Sequence, residues 1–203
     1  VVLSSVAGAV DALGFITLGG FFVSFMTGNT TRLTVGLAEG RTGEAATGAV
    51  IILLFVAGAI IGFLAVRHAR FHPKQAAAGL LTLLLSVAAI LHDTGHDRAA
   101  VGAMILAMGS ENAIFQVSPG PAIGLTYMTG TLVRMARLIV DAVHGEHPLL
   151  WLSQFVLWFG LAVGAGLGGL AWRVIGLDTL WPLAAISAAV TLLLGRIPAT
   201  ERT

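Results

Sequence analysis

The chain has 203 residues, no cysteine and a net charge of +1. Hydrophobic residues make up 57% and glycine accounts for 26 positions, while charged residues make up 10%, against about 25% in a soluble globular chain. This balance excludes a disordered chain, a disulfide scaffold, a thiolate metal site and a general nucleic-acid binder, and leaves too few charges to coat a soluble surface. What remains is an all-α integral membrane protein with the lipid bilayer as its partner, because in lipid every backbone group must be paired within the fold.

A helix needs ~20 apolar residues to cross a hydrocarbon core of ~30 Å. Eight apolar segments are predicted in chain order: 1–18, 21–38, 45–66, 75–91, 99–117, 122–143, 149–171 and 179–194. They leave about six residues for each connection, so no soluble domain fits between them. Polar runs at 39–44, 67–74, 92–98 and 144–148 separate four of the pairs. Gly19-Gly20 and Ser118-Pro119-Gly120-Pro121 are weaker breaks, the signature of a turn or an interrupted helix. The chain opens on Val1 rather than Met, which leaves a missing N-terminus open and permits no reading of a signal peptide.

The sequence repeats itself. Met26-Thr27-Gly28 recurs as Met128-Thr129-Gly130, Arg32 as Arg134, and Gly58 and Gly62 as Gly160 and Gly164, all 102 residues on. Val10-Asp11-Ala12-Leu13 faces Glu111-Asn112-Ala113-Ile114 with a slip of one residue. We read two tandem repeats of about 100 residues, 1–95 and 96–203, within one membrane domain; such repeats are common in secondary transporters. Two topologies stand. In one, six full transmembrane helices accompany two broken or re-entrant Met-Thr-Gly segments and the repeats are inverted. In the other, eight segments span and the repeats are parallel. Eight spans divide the loop cations evenly, whereas six place seven on one side against four on the other. By the positive-inside rule this favours six spans, both termini cytoplasmic, in a bacterial inner membrane.

The Met-Thr-Gly segments carry the sharpest functional signal. Each sets hydroxyls, a flexible glycine and an arginine inside an apolar stretch. A broken helix there exposes backbone groups that hold small solutes, and Asn and Thr both donate and accept. Thr27, Gly28, Asn29, Thr129 and Gly130 are therefore candidate solute contacts, with Arg32 and Arg134 setting charge preference. Asp11 and Glu111, with Asn112 beside the latter, lie in apolar segments. They are candidates for pairing with those arginines or for coupling to protons. The competing reading of all these groups is structural, since Gly and Thr suit helix contacts in lipid and a buried ion pair fixes register.

Arg134, Arg137 and Asp141 share one helix face, which lines a cavity or lies wet at the membrane surface. Gly58/Gly62 and Gly160/Gly164/Gly168 are packing faces for contacts within the chain or with a second copy. Trp151, Trp172 and Trp181 fall at segment ends, as in an interfacial belt. His92 and His96 stand four apart but in a loop with no third ligand, so no metal and no cofactor is expected. No phosphate loop, nucleophile elbow or His-Glu-x-x-His helix occurs, so no catalytic residue is assigned and the chain is not expected to be an enzyme.

Gly8-x-x-Asp11-Ala12-x-Gly14-Phe15, leading into Phe22-Val23-Ser24-Phe25-Met26-Thr27-Gly28-Asn29-Thr30, resembles the YoaK-type family of bacterial membrane proteins. So does Asn112-Ala113 followed by Thr126-Tyr127-Met128-Thr129-Gly130-Thr131. The resemblance covers essentially the whole chain and implies a multi-pass bacterial membrane protein with a domain of unknown function. It implies Gln before Asn112, where this chain has Glu111. From the residues themselves, the leading reading is a transporter or channel for a small polar or charged solute, with its site at the repeat interface. A non-transporting assembly or helper subunit is the alternative, and a membrane-embedded enzyme the weaker one.

Overall fold

The computed structural model describes residues 1–69, 72–115 and 128–196. They form eight α-helices: α1 (Val2–Thr17), α2 (Met26–Ala38), α3 (Thr42–His68), α4 (Pro73–Asp93), α5 (Asp97–Phe115), α6 (Met128–Val143), α7 (Leu150–Ile175) and α8 (Leu180–Gly195). A 3₁₀ turn (Gly176–Thr179) joins the last two. Each predicted segment holds one helix. Two differ in where they begin: α2 starts at Met26, five residues into its segment, and α6 is described from Met128. Among the described residues α3, α4 and the stretch Leu150–Gly195 are long and apolar enough to cross a membrane. Outward apolar side chains such as Leu53, Leu167, Leu170 and Leu192 are exposed, as a lipid-facing surface requires.

Helix directions follow from contacts. A Cβ on Gly58 would overlap the carbonyl oxygen of Leu106, and one on Gly62 would lie 2.7 Å from that of Ser110. Residue numbers rise together along this seam, so α3 and α5 run parallel. On the other side, Gly164 meets the Ser5 carbonyl and Gly168 comes within 2.7 Å of Ala9 Cα, so α1 and α7 also run parallel. Thr82 bonds Ser187 and Thr191 at 3.0 and 3.1 Å, and Gly195 abuts Gln75, so α4 and α8 are antiparallel. The connections 69–72 and 94–96 are short enough to make α3–α4 and α4–α5 antiparallel neighbours as well. Gly164 of α7 and Ile186 of α8 line one hollow against α1, so the 3₁₀ turn folds α8 back antiparallel to α7, and α1 and α3 therefore point in opposite directions, although a further helix lies between them.

The glycine seams bear on two readings of the sequence. These faces close within one chain, so Gly58/Gly62 and Gly164/Gly168 are not open to a second copy. The matching contacts are also one turn out of the 102-residue register. Gly164 stands against α1 as Gly58 stands against α5, and Gly168 as Gly62, a separation of 106. Four extra residues return the same helix face to the seam, and the ladder Gly160-x-x-x-Gly164-x-x-x-Gly168 offers a glycine at each step.

Candidate functional site

The chain between α1 and α2 turns back on itself. Gly19 and Gly20 take φ of +61° and +96°, a left-handed conformation that glycine adopts without strain. Beyond them the chain runs back along α1. Phe22 packs against Phe15, the rings tilted with centroids 4.9 Å apart, and Val23 fills the space that Gly14 leaves. α2 then begins at the depth of mid-α1 and returns antiparallel to α3, with Gly36 against Ala45 and Gly48 against Leu33.

Non-helical backbone inside a membrane must find partners, and here named side chains provide them. Asp11 Oδ1 accepts the N–H groups of Val23 and Ser24, both at 2.9 Å, and the carboxylate also takes the Ser24 hydroxyl. Asn29, fully buried, accepts from Phe22 N–H at 3.0 Å and donates to Phe22 C=O at 2.6 Å. Arg32 donates to the carbonyls of Gly19 and Gly20, lies 4.2 Å above the Phe21 ring and approaches Glu44 at 3.9 Å. The structure thus separates Asp11 from the partner expected for it. Carboxylate and guanidinium each hold backbone of the segment 19–25 that turns back along α1, one taking its donors and the other its acceptors. Asn29 and Arg32 stand away from the cavity, their polar groups engaged by the segment.

The segment ends at a cavity of about 290 Å³. Both Met-Thr-Gly blocks line it, through Met26, Thr27, Met128, Thr129 and Gly130. Ser24, Phe25 and Asn112 join them, and α3 contributes Phe55, Ala59 and Phe63. Asn112 is buried, its amide N–H₂ donating to the Met108 carbonyl at 3.0 Å. Gly28 packs against the Phe25 and Phe22 rings beside the cavity rather than on its wall. Arg134 is half-buried one turn beyond Gly130 and does not line the cavity, while exposed Arg137 lies 4.0 Å from Asp141. A second hollow of about 580 Å³, with Thr47, Asp97 and Arg98 on its wall, lies nearer the start of α3. Leu54 faces that hollow and the adjacent Phe55 faces the central cavity.

Glu111 is fully buried and neither carboxyl oxygen has a hydrogen-bond partner. Among the described residues no arginine pairs with it, although burying an uncompensated carboxylate costs several kcal/mol. His92 lies 2.6 Å from Asp97 and 3.7 Å from Asp178, tying the α4–α5 hairpin to the 3₁₀ turn, where Trp181 also bonds Asp93 at 3.2 Å. Among the described residues no three ligating side chains gather around a metal position. The lining phenylalanines were not foreseen. Their signal is the spacing Phe55, Ala59, Phe63, one continuous stripe beside the Gly58/Gly62 seam.

The family model described as Protein of unknown function (DUF1275) matches residues 1–193. The chain belongs to the DUF1275 family. A relative of this DUF1275 chain, UPF0700 transmembrane protein RA0705 of Rhizobium meliloti (strain 1021), is 36% identical over 183 residues, covering 88% of this chain and 77% of that protein. This agrees with the YoaK-type resemblance and makes the DUF1275 chain a membrane protein. No solved structure matches it.

Proposed function

We propose that this protein is a passage for a small solute across the bacterial cytoplasmic membrane, with the central cavity as its site. The observation that carries this reading is the convergence of both Met-Thr-Gly blocks on one cavity, although they lie 102 residues apart. Thr27, Ser24, Thr129, Gly130 and Asn112 are the contacts, and Asp11, Asn29 and Arg32 position the segment that forms one wall. Glu111 is the remaining group for proton coupling.

The helix directions support six crossings and inverted repeats. α1 and α3 oppose each other, so α2 enters and leaves on one side, and its 13 residues rise only about 20 Å. The same sense of packing relates α1–α7 to α5–α3. On the offset of 101 that takes Gly8 to Gly109, Asn112 stands for Asp11 and Glu111 for the buried Val10. The cation bias then assigns both termini to the cytoplasm. The absence of native cysteine makes single probes clean. Gly43→Cys and Glu146→Cys are expected to label from opposite faces; same-side labelling overturns the inverted arrangement. Glu146 is preferred to Gly145, whose φ of +88° disfavours a side chain.

Reconstitution tests transport directly. Ala59→Phe places a ring in the cavity without removing any polar group. Wild-type protein in liposomes is expected to move solute at least fivefold faster than Ala59→Phe. Equal rates, with the variant folded, count against the reading.

A further inference from the structure

We infer that the cavity takes an uncharged small solute carrying both hydrogen-bond donors and acceptors on a compact apolar frame. This rests on the transport reading above and narrows it. Among the described residues the polar side chains on the cavity wall are Ser24, Thr27, Thr129 and Asn112, three hydroxyls and an amide, and none carries charge. The rest of the described wall is Phe25, Met26, Phe55, Ala59, Phe63, Met128 and the Gly130 backbone, a surface for carbon rather than for an ion's hydration shell.

Each formal charge assigned to the site from sequence stands elsewhere. Asp11 is committed to backbone N–H groups and the Ser24 hydroxyl behind the wall. Arg32 is committed to the carbonyls of Gly19 and Gly20 and to the Phe21 ring. Glu111 is buried on α5 one residue from Asn112 but is not on the wall, and Arg134 lies beyond it on α6. An ion entering the cavity would lose water and meet no countercharge, and attraction returns the desolvation cost only where a partner is in place. The first turn of α2 opens here, with roughly half a positive charge. That disfavours a cation and falls short of an ion pair for an anion. A neutral solute meets no such penalty, because hydroxyl and amide exchange hydrogen bonds with it as water does. The volume equals that of roughly ten liquid waters, which sets the scale of the solute.

The full chain in phosphatidylcholine liposomes, subjected to stopped-flow osmotic gradients of glycerol and of urea, tests this. Planar-bilayer conductance in potassium chloride and potassium nitrate supplies the charged arm. At least fivefold faster equilibration of glycerol or urea than in empty liposomes is expected, with no conductance above the bare bilayer. Ala59→Phe is expected to abolish that acceleration, and Thr129→Val to reduce it at least twofold, so the inference survives the misfolding of either variant. Chloride or nitrate current, with or without neutral flux, overturns the uncharged class while leaving the passage standing. Failure of both arms removes the passage itself.

Discussion

Gly164→Val and Gly58→Val are each expected to lower the unfolding midpoint of the detergent-solubilised protein and to reduce its monodisperse yield. The cause is backbone against backbone. A Cβ at either position overlaps a carbonyl oxygen on the facing helix, Ser5 in one seam and Leu106 in the other. No rotamer change relieves that contact, because neither atom belongs to a flexible side chain. The helices must separate, and the methyl groups of Val widen the gap. Overpacking of a tight core typically costs about 1–3 kcal/mol, and these sites belong at or above the upper end. The Ser4 hydroxyl bond to the Leu157 carbonyl, 2.7 Å, stretches with the first seam. Gly166 and Gly169 serve as controls on the same helix, since nothing lies within 4 Å of a Cβ there. Replacing either with Ala is expected to be neutral or to stabilise by up to about 1 kcal/mol through helix preference. Equal loss at Gly164 and Gly166 would mean that α7 does not meet α1 along this face.

The second large effect separates a hydrogen-bond role for Asp11 from an ionic one. Asp11→Ala removes the acceptor for the Val23 and Ser24 N–H groups of the turned-back segment and for the Ser24 hydroxyl. Each buried group left bare costs about 1–3 kcal/mol, so a loss of about 3 kcal/mol or more is expected. Asp11→Asn keeps a carbonyl oxygen in the same place and is expected to lose less than about 1 kcal/mol. Were Asp11 held by Arg32, the neutral amide would cost nearly as much as Ala. Asn29→Ala belongs with Asp11→Ala, because it strands both the N–H and the C=O of Phe22. Thermal or denaturant unfolding in micelles ranks the three. Asp11→Asn and Asp11→Ala falling together would sink the hydrogen-bond role of Asp11.

Much of the fold was legible because the bilayer imposes one length and one polarity on each crossing. The apolar run at 45–66 becomes α3 with its ends moved by a few residues, and the polar turn at 92–98 becomes the bend between α4 and α5. The start of α2 was not legible. Residues 21–25 are as apolar as a helix core, and what keeps them out of the helix is Asp11, a dozen residues upstream, with Asn29 ahead. Periodicity reports local pattern and is blind to a side chain arriving from another element. The same blindness made Arg32 and Arg134 the natural partners for Asp11, with proton coupling as the alternative. Opposite charges in one apolar region invite pairing, yet an unwound backbone offers each a nearer partner. The Met-Thr-Gly blocks did stand out, because hydroxyls in an apolar run are rare. Phe55 and Phe63 did not, since a ring turned to a cavity and a ring turned to lipid look alike in sequence.

The parallel seams have a consequence for synthesis. α1 emerges from the ribosome first, yet the helix that covers its glycine face, α7, follows some 150 residues later, as the Ser4–Leu157 bond records. The small-residue face of α3 likewise waits for α5. Each half therefore supplies the missing wall of the other, and neither closes alone. Assembly is set by the last crossings rather than the first. A chain stopped near residue 95 would sit in the bilayer with its glycine faces turned to lipid, a target for quality control rather than a smaller working protein.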